Sequence, residues 1–236
     1  MNRMFRGPSI VMALLVLGSA IAAAQPAGSN GSLPANSYGG SGIPTSSVQL
    51  FTNPNVTLGM SASARYANPS VTDNGLGTYY ASTGIDNNPP SPGNPYGRWN
   101  FNFFVGGANP GGYNYKLYYE FNGAGGTTPT GYVILGPTPT ADSWNLGMDF
   151  LSNPSPLPGL IVPPVGSTTS TFDPTANAEY SFSLRAYQAD VEIGRTGINV
   201  ITGTGPSTTV PEPGTYLLMA AGLAGITVIT RRKIAA

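Results

Sequence analysis

Four segments of this chain alternate apolar and polar side chains residue by residue, and that alternation confines them to strands. Trp99, Phe101, Phe103 and Val105 share one side of an extended segment, with Asn100 and Asn102 on the other. Tyr113, Tyr115, Leu117, Tyr119 and Phe121 repeat the pattern against Asn114, Lys116, Tyr118 and Glu120. Trp144, Leu146, Met148 and Phe150 form a third row, and Tyr180, Phe182, Leu184 and Ala186 a fourth. Side chains two apart point the same way along a strand, so each segment delivers an apolar row to a common core. Further strands are predicted over residues 47–52, 56–65, 78–82, 133–135 and 191–202.

The joints between these segments carry the turn residues. The chain holds 32 Gly and 23 Pro, clustered at sites such as Asp73-Asn74-Gly75, Asn109-Pro110-Gly111-Gly112 and Asn122-Gly123-Ala124-Gly125-Gly126. Ala189-Asp190 and Arg195-Thr196-Gly197 read as turns near a closing strand or hairpin. The joint from Phe103 to Tyr113 is short enough for a hairpin. Seven or more strands without helices between them predict an all-β fold, an antiparallel β-sandwich over residues 47–202. Uneven loop lengths favour the sandwich over a closed barrel. The acidic turn at Asp173 that enters a strand at Tyr180 resembles the corner before the penultimate strand of immunoglobulin-like and fibronectin-like domains. It lacks their Cys and Gly, and an ordinary strand start with a buried Tyr accounts for it equally well. Residues 25–46, rich in Gly, Ser, Asn and Pro, read as a flexible leader, and residues 203–209 as a tether. Two Pro-rich inserts, 86–97 and 152–169, are too long for simple turns and belong to the loop class that often carries function.

Both ends of the chain carry addresses. Arg3 and Arg6 precede an apolar run over residues 10–17, and Ala22 and Ala24 frame a small-residue cleavage site. This predicts a signal helix and signal peptide over residues 1–24, handled by the Sec translocon and signal peptidase. At the other end, Val210-Pro211-Glu212-Pro213 precedes the uncharged stretch 215–230 and then Arg231-Arg232-Lys233. As a transmembrane helix that stretch spans about 24 Å, short of a hydrocarbon core of about 30 Å. The three cations act as a cytoplasmic stop and leave the bulk of the chain outside. A plain anchor would explain the span and the cations but not the Pro-Glu-Pro.

The tail over residues 210–236 resembles the PEP-CTERM sorting domain of exported Gram-negative bacterial proteins, through Val210, Pro211, Glu212, Pro213 and Gly214, the small-residue span 217–225, and Arg231, Arg232 and Lys233. The resemblance implies an exosortase as partner, a transient stay in the inner membrane, and a final place at the cell surface or outside the cell. It also implies a producer that makes extracellular polysaccharide.

Between the two signals, Arg65, Arg98, Lys116, Arg185 and Arg195 face nine acids, for a net charge of −4 over residues 25–209. Such a balance offers no footprint for nucleic acid and no basic patch for lipid. The chain has no Cys, so its stability rests on packing without disulfides. It has no His either, which rules out Ser-His-Asp and Cys-His catalysis and leaves no expected metal site or cofactor. Paired carboxylates could still cleave a glycosidic bond. The candidates are Glu120, Asp142, Asp149, Asp173, Glu179, Asp190 and Glu192, and no spacing singles out a pair. Asp73-Asn74-Gly75 and Asp86-Asn87-Asn88 offer oxygens for calcium, but those residues equally build turns. Outward aromatic rings could stack on sugars, with Tyr118 and Tyr187 alternating outward and Tyr96 and Tyr79 or Tyr80 near loops. The sequence thus predicts a non-catalytic, exported structural or adhesive component of the cell surface or biofilm matrix. A carbohydrate-binding module is the alternative, and a glycan-active hydrolase a third reading.

Overall fold

The computed structural model describes residues 27–39, 42–86, 95–123, 131–137, 139–153, 159–164 and 172–203. The signal peptide, most of the tether, the sorting tail with its transmembrane segment, and the middle of both Pro-rich inserts lie outside the described residues. Among the described residues, no helix is long and apolar enough to cross a membrane.

Two sheets stack face to face. The first contains β1 (Ser29–Gly31), β2 (Val48–Thr52), β3 (Thr57–Ala64), β6 (Trp99–Gly106) and β9 (Thr140–Trp144), in that spatial order and antiparallel throughout. The second runs β10 (Ile161–Val162), β8 (Gly131–Gly136), β7 (Asn114–Tyr119), β11 (Ala178–Gln188), β12 (Val191–Thr202), β5 (Thr78–Ala81) and β4 (Thr72–Asp73). Its pairs are antiparallel except for β12 against β5. The parallel pair arises because the chain leaves β5 for the first sheet and returns to its side only after the β11–β12 hairpin has fixed the direction of β12. The sandwich is therefore mixed rather than purely antiparallel.

Three of the four alternating rows sit where the periodicity put them. Trp99, Phe101, Phe103 and Val105 face Tyr180, Phe182, Leu184 and Ala186 across the core, and Tyr115, Leu117, Tyr119 and Phe121 join them, all buried. Phe101 stacks on Phe182 with ring centroids 4.4 Å apart, and Trp99 meets Phe182 edge-on at 6.1 Å. The remaining row, from Trp144 to Phe150, is a strand only as far as Trp144. After it the chain turns and makes one helical turn, α1 (Asp149–Ser152), where Leu151 is buried and Phe150 packs on Trp144 at 5.2 Å.

Several local expectations need correction. The joint from β6 to β7 is not a hairpin, because those strands lie in different sheets and the joint crosses between them. Alternation specifies a buried face but not a hydrogen-bonding neighbour. Arg195-Thr196-Gly197 is not a turn but the middle of β12, paired with residues 183–185. A corner-like bond from a Tyr hydroxyl to upstream backbone occurs at Tyr115, which donates to the Pro110 carbonyl at 2.7 Å. The ring of Tyr180 fills the core between Trp99, at 5.5 Å, and Phe172, at 5.8 Å.

The largest correction concerns residues 25–46. Residues 27–39 and 42–46 are not a loose leader but a roof on the outer face of the first sheet. Leu33, Tyr38 and Val48 are buried there against Ile43, Leu50, Phe104 and Ala141, forming a second small core. Asn100 and Asn102, on the polar side of their strand, are consequently buried too. Asn102 satisfies itself by donating to Ser61 and Ser63 at 3.1 Å each, as a buried amide must. The roof starts in a seam. Gly197 N–H and the Thr196 hydroxyl donate to the Ala27 carbonyl at 2.9 and 3.1 Å, and the same hydroxyl reaches the Gln49 carbonyl at 2.8 Å. Gly28 next to it has φ +107°, and a Cβ there would stand 2.7 Å from the Leu50 carbonyl oxygen.

Two predictions follow from this packing. Ala189 and Asp190, the two central residues of the β11–β12 hairpin, have φ of 46° and 64°, a type I′ geometry that disfavours Ala. Ala189→Asn should therefore raise unfolding free energy by about 0.5–1 kcal/mol in urea titrations; unchanged or lower stability would refute the strain. Burial also pushes the phenols of Tyr38 and Tyr115 up to about 12, and those of Tyr79, Tyr119 and Tyr180 up further. In the unfolded chain these groups ionise near pH 10. Their contribution is complete below that value and is lost as pH climbs through the folded values. Urea midpoints should hold flat up to roughly pH 9 and then fall steeply, in step with phenolate absorbance.

Candidate ligand-binding site

Among the described residues, a concave feature begins where β3 ends. Arg65 follows the strand, and its N–H donates to the Arg98 carbonyl at 2.9 Å, which holds the exit tight against β6. The chain then reverses through Tyr66, whose φ of +47° is a left-handed conformation that costs a bulky residue energy. Residues in such sparsely populated conformations concentrate at functional sites. The residue is 71% exposed, so core packing does not explain why a Tyr stands there.

Arg65 is held from three sides. Its Nε donates to Asp86 Oδ2 at 2.7 Å, and Asn68 donates to Asp86 Oδ1 at 2.7 Å. The guanidinium carbon lies 4.6 Å from the Tyr66 ring centroid and 4.7 Å from that of Tyr96. Both members of the ion pair are buried, so the charge is cancelled locally while the two rings are pinned by cation–π contact. The pair also fixes the root of the first Pro-rich insert. Asp86 N–H donates to the Tyr96 carbonyl at 2.8 Å, and Ile85 bridges to Gly97.

Together these groups wall a cleft of about 440 Å³ on the outer face of the first sheet. Ser63, Asn100, Ser143, Ile43 and Met148 also line it, and the Asn100 amide donates to the Ser143 hydroxyl at 3.0 Å. The lining is amphipathic, with aromatic rings alongside hydroxyls and an amide. It can stack and hydrogen-bond a neutral polyhydroxylated ring, since pockets of this size with a few placed polar groups suit small ligands.

The tyrosines considered in the sequence separate. Tyr96 lines the cleft. Tyr79 is buried in the core and donates its phenol to the Ser47 carbonyl, so it does not face outward. Tyr80 is half-buried in β5. Tyr118 and Tyr187 do come together on the outer face of the second sheet, with their hydroxyls 3.2 Å apart, and Tyr132 lies 5.4 Å from the Tyr118 ring. Sequence reasoning missed Arg65, Tyr66 and Tyr132. The signal for the first two was a cation and an aromatic placed directly after a long strand and before the Asn68-Pro69 turn.

The carboxylates do not gather around the cleft. Asp142 accepts from Ser143 N–H at 2.7 Å and Trp144 Nε1 at 2.8 Å. Asp173 caps its turn by accepting from Thr175, which holds its pKa below the usual carboxylate value. Glu179 accepts from Asn199 at 3.0 Å, Glu192 faces Arg185 and Arg195, Asp190 sits in the hairpin turn, and Asp149 begins α1. Glu120 is buried at the end of β7. Asp73 and Asn74 accept from Gly75, Leu76 and Thr78 N–H groups, which is turn chemistry. Among the described residues, no group of three or more His, Cys, Asp or Glu could hold a metal ion.

Comparison with known proteins adds one finding. Residues 209–233 match the PEP-CTERM protein-sorting motif. No curated protein and no solved structure matches the chain.

Breaking the ion pair tests its place in this architecture. Asp86→Ala leaves the Arg65 charge buried without its partner and should cost about 3–5 kcal/mol in urea unfolding. The double variant Arg65→Met/Asp86→Leu should recover most of that loss, and equal loss in both would mean that the charges themselves are not what matters.

Proposed function

We propose that this exosortase-sorted, extracellular chain is a non-catalytic structural and adhesive component of the cell surface or exopolysaccharide matrix. Signal peptidase frees the domain after Ala24. The tail holds it transiently in the inner membrane through residues 215–230 and Arg231, Arg232 and Lys233, until the exosortase acts at Val210, Pro211, Glu212 and Pro213. Adhesion works through the cleft, which takes a neutral stretch of extracellular polysaccharide. The observation that supports this most is the Arg65 guanidinium in contact with both Tyr66 and Tyr96 in a cleft that Ser63, Asn100 and Ser143 also line. An exposed ring held rigidly beside hydroxyl and amide groups suits a pyranose, whose faces are apolar and whose rim is polar.

The test uses the processed protein from its producer. In affinity gels containing the producer's own exopolysaccharide its migration should be retarded, and Tyr66→Ala should abolish the retardation while the variant stays folded by circular dichroism. Equal mobility with and without polysaccharide would defeat the adhesive reading. Deleting the exosortase should leave a membrane-bound precursor that retains its tail. Release at the normal rate in that strain would defeat the sorting part.

A further inference from the structure

The outer face of the second sheet carries an arrangement that costs stability. Lys116 in β7 lies directly across from Arg185 in β11, and Arg185 directly across from Arg195 in β12. Directly opposed side chains share a face about 5 Å apart, where like charges repel. Three of the five cations between the two signals thus stand in one row across three strands, on a segment whose net charge is −4. Chance placement on so charge-poor a surface would scatter them.

The row is embedded in aromatic rings. The Arg185 guanidinium lies 4.4 Å from the Tyr118 ring centroid, and the Lys116 ammonium lies 5.2 Å from that of Tyr187 and 5.4 Å from that of Tyr132. These contacts hold the charged heads along the sheet surface. Glu192 offsets one charge, at 2.5 Å from Arg195 and 3.5 Å from Arg185. The row therefore keeps an excess of two positive charges. Further along this face stand Glu179 on β11, six residues or about 20 Å from Arg185, and the buried Glu120, four residues or about 13 Å from Lys116. The Arg195 side chain remains 51% exposed.

The geometry points to a binding surface for an acidic polysaccharide, one with repeated carboxylate groups, laid across the strands along Lys116, Arg185 and Arg195. Carboxylates on the polymer relieve the cross-strand repulsion, and sugar rings find stacking partners in Tyr118, Tyr132 and Tyr187. A spacing of about 10 Å from Lys116 to Arg195, two strand separations, lets one chain bridge the row. The strand order places this surface on the opposite side of the sandwich from the cleft, with no residue in common, so either reading can fail without the other.

The experiment titrates the processed protein with polygalacturonate, using dextran as the neutral control and raising the salt stepwise. Polygalacturonate should bind at low salt and weaken steeply as salt rises, because exposed charges are screened, while dextran leaves this face untouched. Lys116→Gln/Arg195→Gln should bind polygalacturonate roughly tenfold more weakly with a shallower salt dependence. That variant relieves repulsion, so its melting temperature should stay level or rise, which separates lost binding from lost fold. Tyr132→Ala should weaken binding at every salt concentration. Equal polygalacturonate affinity in the double variant would overturn the proposal. So would salt-sensitive self-association in sedimentation that disappears in the double variant while polygalacturonate fails to bind, since the row would then serve a second copy of the chain.

Discussion

This domain depends first on apolar contact between its two sheets, with aromatic rings at the centre and a few hydrogen bonds at the β2–β12 seam. The chain has no Cys and few charges, so neither disulfides nor ion-pair networks can hold the layers. Phe101 stacked on Phe182 at 4.4 Å, with Trp99 and Tyr180 beside them, does that work. Rings suit the task because each buries a large area at the expense of only two side-chain torsions. The phenols buried with them reach backbone carbonyls, as Tyr115 does at Pro110 and Tyr119 at Leu151, which turns a polar liability into a tie between loop and strand.

What the sequence revealed and what it hid follow one physical line. Alternation reports the environment of a residue, and the rows at Trp99–Val105, Tyr113–Phe121 and Tyr180–Ala186 are buried as their periodicity required. It does not report partners. The pairing of β6 with β3 and β9, and of β7 with β8 and β11, depends on contacts far apart in the chain, so a short joint resembled a hairpin. The roof formed by residues 27–39 and 42–46 was hidden for a different reason. Gly, Ser, Asn and Pro dominate it, and only Leu33, Tyr38 and Ile43 reveal that it covers something. The cleft was least legible. Arg65, Asp86 and Tyr96 are separated in sequence, and no local pattern announces that one guanidinium will gather them.

The sandwich presents two differently furnished exteriors. On one side, a covered polar layer of Asn and Ser opens into an uncharged cleft, where the only charges are buried against each other. On the other, an open sheet carries cations bedded on rings. The division follows from the roof: among the described residues, the N-terminal segment covers the first sheet and not the second, so the two surfaces differ in depth as well as in charge.

The seam at Ala27 ties the head of the domain to its last strand. Its carbonyl is held by Gly197 and Thr196 in β12, the strand that runs on to Thr202 and then toward the tail. The proposed cut after Ala24 lies three residues before the seam, a reach of about 10 Å at most. Gly197 to Thr202 spans about 17 Å along the strand. The head of the domain is thus bonded beside the middle of β12 and the tail continues from its end, so a single strand takes up both ends of the folded domain.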